Sequence, residues 1–284
     1  MSKRNAFLTV SLIALLAAST AVLRAQKTET TTLEGILRRS QENLDQYNAR
    51  VPSFFCDEQV VSSRGDLYRL LFNRTVTDSN FRLKRVPNPD GTITLQESHE
   101  VKTVNGLPAT GDSVSGPANL SGAFSNGLAL VSQSQKACMK YSRAPVKPGN
   151  TRKPTIVQFA SVDASERPDD CLMQEDISGR VFIDPATMQI QRMEFHAPNH
   201  VIAPESKTSQ GVRIPPVVGT WDVTVEYAPV LLGGKSFWLP TKISEIMTGN
   251  MTVKNEWRYD AAYRNYHKLE VTSRILPESE VPVQ

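Results

Sequence analysis

Hydrophobic and polar side chains alternate along the carboxyl-terminal third of the chain. Residues 221–227, 251–260 and 269–275 place apolar side chains at alternating positions. A period of two over seven or more residues predicts strands with one buried face and one solvated face. The pairs Gly233-Gly234 and Gly249-Asn250 separate these strands from a further one at residues 236–247, and such pairs form tight hairpin turns. The pattern therefore predicts a four-stranded antiparallel meander.

Near the amino terminus the apolar spacing changes to that of a helix. Thr31 and Glu34 fit a capping box, and Pro52 ends the segment. We therefore expect an amphipathic helix over residues 32–48, which needs a packing partner because helices this short owe most of their stability to packing. Its apolar stripe is formed by Leu33, Ile36, Leu37 and Leu44.

Weaker alternation between residues 54 and 195 predicts further strands, and residues 122–133 fit a short second helix. Helices and strands do not alternate regularly, so a parallel sheet is not expected. The predicted fold class is mainly β (α+β): a curved antiparallel meander or half-barrel of about ten strands, covered by the amino-terminal helix and the second short helix. Proline-rich residues 144–155 and 196–218 are expected to be irregular.

The amino terminus has the pattern of an export signal. Lys3 and Arg4 precede residues 6–23, which carry no charge. We interpret residues 1–25 as a cleaved signal peptide; an uncleaved anchor is the alternative, because this stretch has the minimum length for a membrane span. We expect no stable transmembrane segment after cleavage, one domain over residues 26–276 and a flexible tail over residues 277–284. The expected location is periplasmic or secreted.

The charge balance argues against a nucleic-acid partner. The formal net charge is +3, and Lys3, Arg4 and Arg24 in the signal segment account for all of it. A neutral body lacks the positive surface that phosphate backbones require. No phosphate-binding loop, nucleophile elbow or metal-binding motif is present. We therefore assign no catalytic residue, cofactor or metal, and expect a non-enzymatic protein.

Three cysteines allow at most one intrachain disulfide. They are Cys56, Cys138 and Cys171. We favour a bridge between Cys138 and Cys171, which flank the proline-rich and polar stretch that a bridge would hold together. Export makes a disulfide feasible. Three buried thiols are the alternative.

Several segments resemble those of exported bacterial proteins. They are GRVFIDPAT at residues 179–187, IQRMEF at 190–195, VPSFFC at 51–56 and YRNY at 263–266. Together with the signal segment, the helix and the meander, they resemble the periplasmic lipoprotein-carrier superfamily, whose members fold as incomplete β-barrels. The resemblance implies a hollow that holds acyl chains under a helical lid.

The functional hypothesis combines the helix with the sheet. Leu33, Ile36, Leu37 and Leu44 are expected to form an apolar lid over a groove that Trp257 lines. The predicted function is binding of an apolar ligand or a lipidated partner, such as a lipid, an acyl chain or a lipoprotein. An envelope scaffold that makes protein–protein contacts through long loops, and a hydrolase with a dispersed site, are the alternatives.

Overall fold

The computed structural model describes residues 32–66, 72–109, 122–125, 127–145, 153–207, 209, 211, 213–249 and 255–269. The predicted signal peptide at residues 1–25 and the predicted tail at residues 277–284 lie outside these ranges. Two parts of the predicted meander do as well, namely residues 251–254 and 270–275.

One antiparallel sheet of eleven strands dominates the fold. The strands of the described ranges are β1 Phe54–Asp66, β2 Phe72–Pro87, β3 Ile93–Val104, β4 Leu107–Pro108, β5 Met139–Arg143, β6 Thr155–Ser161, β7 Ser178–Ile183, β8 Ile190–Ala203, β9 Ser206–Lys207, β10 Arg213–Ile214, β11 Val217–Leu232, β12 Lys235–Gly249 and β13 Asn255–Lys268.

The strand order in the large sheet is β4-β3-β2-β1-β13-β12-β11-β8-β7-β6-β5, and β9 and β10 form a separate hairpin. The two edge strands of the large sheet, β4 and β5, do not pair with each other, so the sheet remains open. The mainly β prediction is confirmed.

The first and last strands of the described chain are neighbours in the sheet. The first strand, β1, pairs with β2 on one side and with the last strand, β13, on the other. Glu58 on β1 is the register partner of Tyr263 on β13. Hydrophobic alternation identifies strands but not their long-range partners, so this central pairing is information that the structure adds.

Helix α1 spans Leu33–Arg50 and packs on the face of the sheet that carries the hydrophobic core, which we call the inner face. Thr32 is its N-cap, with Oγ1 accepting a hydrogen bond from the Gly35 N–H at 3.1 Å. The cap therefore lies one residue beyond the predicted Thr31. At the other end the Val51 N–H donates to the Tyr47 carbonyl, before Pro52 prevents continuation.

The predicted second helix is present only as short 3-10 segments. Residues 122–133 contain a turn followed by a 3-10 helix at Gly127–Val131, and a second 3-10 helix spans Gln133–Gln135. Ser132 separates the two because its backbone is extended, with φ −141° and ψ 163°. Its hydroxyl donates to the Ala129 carbonyl, the kind of local bond by which serine competes with regular helix.

The expected loop at residues 196–218 is also partly wrong. Strand β8 continues to Ala203, and β11 begins at Val217. Pro198 is tolerated because the β8–β11 register shifts at this point: His200 pairs with Gly219 and Ala197 with Trp221. Proline has no N–H to donate, so a bulge is a position in a strand that can accommodate it.

Candidate functional site

An apolar groove opens on the inner face where β8 and β11 run beside the 3-10 helix at Gly127–Val131. Its volume is about 200 Å³. The loop that follows Cys171 closes another side. Almost every lining side chain is apolar, and the set is Gly122, Ala123, Gly127, Leu130, Leu172, Met173, Met193, Phe195, Trp221, Val223 and Val225.

Trp221 forms a wall of the groove whose orientation is fixed by three contacts. Its ring is nearly perpendicular to that of Phe195, with centroids 5.0 Å apart. The His200 ring stacks on it at 4.5 Å. Its indole N–H donates to Oε1 of Glu245 at 2.7 Å. All three contacts are made by side chains of the protein itself, so they hold the ring in a fixed orientation along the groove.

A disulfide between Cys138 and Cys171 anchors the loop wall. This is the pairing favoured from the sequence, and the two Cα atoms lie 5.6 Å apart. Leu172 and Met173 follow directly, and the Leu172 N–H donates to the side chain of Gln135 at 3.2 Å. The bridge therefore holds two groove residues against the 3-10 region. Cys56 is a buried free thiol, and burial raises its pKa.

Below the groove lies the hydroxyl group of Tyr227. It is buried, and the described part of the chain offers it no hydrogen-bond partner. Burial raises the pKa of Tyr227, so the group stays neutral. A Cβ atom on Gly127 would lie 2.9 Å from this oxygen, so a larger residue there would have to displace the Tyr227 hydroxyl.

The five residues predicted to form the lid and groove lie elsewhere on the inner face. Ile36 and Leu37 are 1% and 2% exposed and join the core, Leu44 is buried, and Leu33 is half-buried. Trp257 packs near Gly249, with the Arg64 guanidinium 5.2 Å from its ring centroid. None of the five lines the cavity described above. Their roles as lid and groove stay predictions.

Two buried carboxylates on the inner face were missed by the sequence interpretation. Glu58 is 2% exposed and its Oε2 lies 2.7 Å from Nδ1 of His99, while its Oε1 has no partner among the described residues. Burial raises the pKa of Glu245 to about 7, although the hydrogen bond from Trp221 acts in the opposite direction. Both glutamates occupy inward positions of the strand alternation, a signal that could have revealed them.

The other candidate chemical groups are three histidines, each of which contacts a carboxylate. His99, His196 and His200 contact Glu58, Asp222 and Glu175, respectively. In the described ranges no three side chains of the His, Cys, Asp and Glu types lie close enough together to hold a metal ion. No described helix is both long and apolar enough to span a membrane.

Comparisons with known proteins gave matches to solved structures. No protein-family model matches the chain, and no curated protein matches it. A putative outer membrane lipoprotein-sorting protein domain from Vibrio parahaemolyticus is 12% identical, with a TM-score of 0.35 over 83% of this chain and 92% of that one. A LolA superfamily protein from Nitrosomonas europaea is 12% identical, with a TM-score of 0.30 over 84% and 94%. A DUF1329 family protein from Desulfovibrio piger is 10% identical, with a TM-score of 0.34 over 82% and 92%.

Two of these three proteins are described as lipoprotein-sorting or LolA superfamily proteins, the group that the sequence resembles. The feature of this chain that bears on its function is the apolar groove.

Proposed function

We propose that this protein is a non-enzymatic carrier, exported to the periplasm or secreted, that binds an apolar chain in the groove beside Trp221. The chain would belong to a lipid, a free acyl group or a lipidated protein. The observation that carries the proposal is the composition of the groove, whose lining is almost entirely apolar.

The size of the groove supports a small apolar occupant. An apolar cavity of about 150 Å³ inside a protein is large enough to bind benzene. The groove has about 200 Å³, which accommodates a short segment of an acyl chain or a single ring. Met173 and Met193 add adaptability, because methionine side chains adjust to occupants of different shape.

The compartment is supported by two independent features. Residues 1–25 combine a basic start with an uncharged core, the pattern of a secretory signal. The Cys138–Cys171 disulfide positions Leu172, and such bonds persist in oxidising compartments outside the cytosol.

Quenching of tryptophan fluorescence by an uncharged brominated fatty-acid ester tests the proposal, because such a chain carries no anionic group. A brominated chain in the groove should quench Trp221, and Trp221→Phe should remove that quenching. Ala123→Phe fills the groove and should weaken binding by about tenfold or more, since the chain loses its apolar contacts. Ala123→Ser, at the same position, leaves the volume open and should bind like the wild type. Equal quenching in both Ala123 variants would contradict the assignment of the groove.

A further inference from the structure

A second cavity lies between the carboxyl-terminal half of α1 and the beginning of β12. Its volume is about 320 Å³. Its apolar floor consists of Tyr47, Leu128, Phe237 and Trp238, and the Tyr47 hydroxyl is held in place by donating to the Phe124 carbonyl at 2.8 Å. The polar lining residues are Asn43, Gln46, Arg50, Gln189, Lys235 and Ser236. We call this cavity the cationic cleft.

The charges around the cleft have one sign. Arg50 and Lys235 both line it, and none of the described lining residues carries a carboxylate. Neither cation forms an ion pair or a hydrogen bond with any residue in the described ranges. Most other described arginines do have partners, as in the pair between Arg180 and Glu194. Two positive charges without a protein partner over one concave site give it a positive potential that favours an anion.

The end of helix α1 does not neutralise Arg50. A helix carboxyl terminus carries partial negative charge on its free carbonyl groups. Here the guanidinium of Arg85 occupies that position: its Nη1 donates to the carbonyls of Asn48 and Val51 at 2.6 and 3.0 Å. Because Arg85 already satisfies these carbonyls, the charge of Arg50 remains available to a ligand.

The cleft also offers neutral donors and an aromatic surface. The side-chain amides of Gln46 and Gln189 make no hydrogen bond within the described part of the chain, so their N–H groups are free to donate. Phe237 and Trp238 are half-buried and both line the cavity. Arginine, amide donors and aromatic rings together fit an anion attached to an apolar group.

We propose that the cationic cleft binds an anionic amphiphile. Its phosphate or carboxylate group would contact Arg50 and Lys235, while its apolar part packs on Phe237 and Trp238. A volume of about 320 Å³ is at the lower end of the usual range for small-molecule sites. This site is separate from the apolar groove: Leu128 of the 3-10 helix lines the cleft, whereas Gly127 and Leu130 line the groove.

Binding of a soluble anionic lipid to the mature protein tests the proposal. Dihexanoyl phosphatidylglycerol should change the fluorescence of Trp238 saturably, and Trp238→Phe should remove the change. The double variant Arg50→Gln/Lys235→Gln should bind about tenfold or more weakly, because each charge-assisted contact is lost. The double variant Arg74→Gln/Lys242→Gln removes one exposed arginine and one exposed lysine elsewhere, and should bind like the wild type. Inorganic phosphate should compete with the lipid.

Two lipid preparations identify the source of the ligand. If the loss of affinity in Arg50→Gln/Lys235→Gln is also found when binding is measured by cosedimentation with phosphatidylglycerol vesicles, the amphiphile is recognised in a bilayer. If it appears with the soluble lipid alone, the ligand is a free amphiphile; both results support the cleft. Equal affinity for dihexanoyl phosphatidylcholine, or unchanged binding in Arg50→Gln/Lys235→Gln, would overturn the proposal. Ala123→Phe should leave this binding intact, which separates it from the carrier proposal.

Discussion

The indole N–H of Trp221 donates a hydrogen bond of 2.7 Å to the buried carboxylate of Glu245. The two residues lie on the adjacent strands β11 and β12, and the bond connects a wall of the apolar groove to an acid that is 3% exposed. The second oxygen of Glu245, Oε2, has no partner in the described part of the chain. The orientation of the groove wall is therefore coupled to a group that changes charge near neutral pH.

The first prediction concerns Glu245 and pH. Its folded-state pKa of about 7 lies above the ordinary value of 4.5, so the folded protein binds a proton that the unfolded chain has released. The resulting stability is present at low pH and is lost as the pH rises through about 7. The loss amounts to about 3 kcal/mol.

Denaturant unfolding of the wild type and Glu245→Gln checks this prediction. Glutamine resembles the neutral carboxyl group and can still accept from Trp221. The two proteins should have similar free energies of unfolding near pH 5, and the variant should be more stable near pH 8. A difference that does not depend on pH would contradict the raised pKa of Glu245.

The second prediction concerns the pair of His99 and Glu58. Burial opposes the charge on His99, but the hydrogen bond to Glu58, the charge of Glu58 and the charge of Glu97 outweigh it and raise the His99 pKa. The stabilisation is therefore present below the unfolded histidine pKa and is lost as the pH rises through the raised value. His99→Gln should cost roughly 3–5 kcal/mol at low pH, because Glu58 is left buried without its partner.

His196→Gln is the matched control for His99→Gln. His196 also contacts a carboxylate, Asp222, but 43% of its side chain and 53% of that of Asp222 are exposed. Pairs of this kind contribute at most about 1 kcal/mol. Urea unfolding near pH 6 and near pH 9 should show a large, pH-dependent loss for His99→Gln alone.

The third prediction concerns the disulfide. Cys138 and Cys171 are 33 residues apart, and closing a loop of this size stabilises by roughly 3–4 kcal/mol through restriction of the unfolded chain. Cys138→Ala/Cys171→Ala should lose this amount and should also weaken binding in the groove, since Leu172 and Met173 lose their anchor. Cys56→Ala is the control for loss of a buried cysteine. Peptide mapping without reduction must find Cys56 as the free thiol.

The fourth prediction tests helix α1 as a lid. Leu37 is 2% exposed, so Leu37→Ala should cost about 2–5 kcal/mol by leaving a cavity. We expect it also to weaken binding of a fatty acid, because α1 packs beside the 3-10 helix that forms one wall of the groove. Val181→Ala truncates a fully buried residue on β7 that lines no part of the groove. If both variants retain wild-type affinity, α1 is core and not a lid.

Period-two alternation predicted the strands well because burial of one face is a local property of each strand. It also contained the signal for Glu58 and Glu245, which stand at inward positions of β1 and β12. Capping chemistry placed the start of α1 to within one residue, since Thr31 and Thr32 offer the same hydroxyl. The prolines at residues 198–216 indicated a loop, and the sequence does not reveal that a bulge accommodates Pro198 within β8.

The functional sites were less accessible to sequence reasoning. Trp221 and Phe195 belong to alternating strands, but Leu172, Met173 and Gly127 come from irregular segments that share no period. They meet because a disulfide and a tertiary contact bring them together. The cationic cleft similarly combines Arg50 with Lys235, two residues whose proximity depends on how α1 lies on the sheet.

The position of β1 between β2 and β13 has a consequence for the synthesis of this protein. The hydrogen bond from Asn265 to Asp57 spans 208 residues, so a ribosome must complete nearly the whole domain before the centre of the sheet can form. Pairings of such long range are slow and leave strand edges open until the last partner arrives. Throughout translation the nascent chain therefore stays without the pairing of its first and last long strands, and β1 keeps one edge open until β13 has been made.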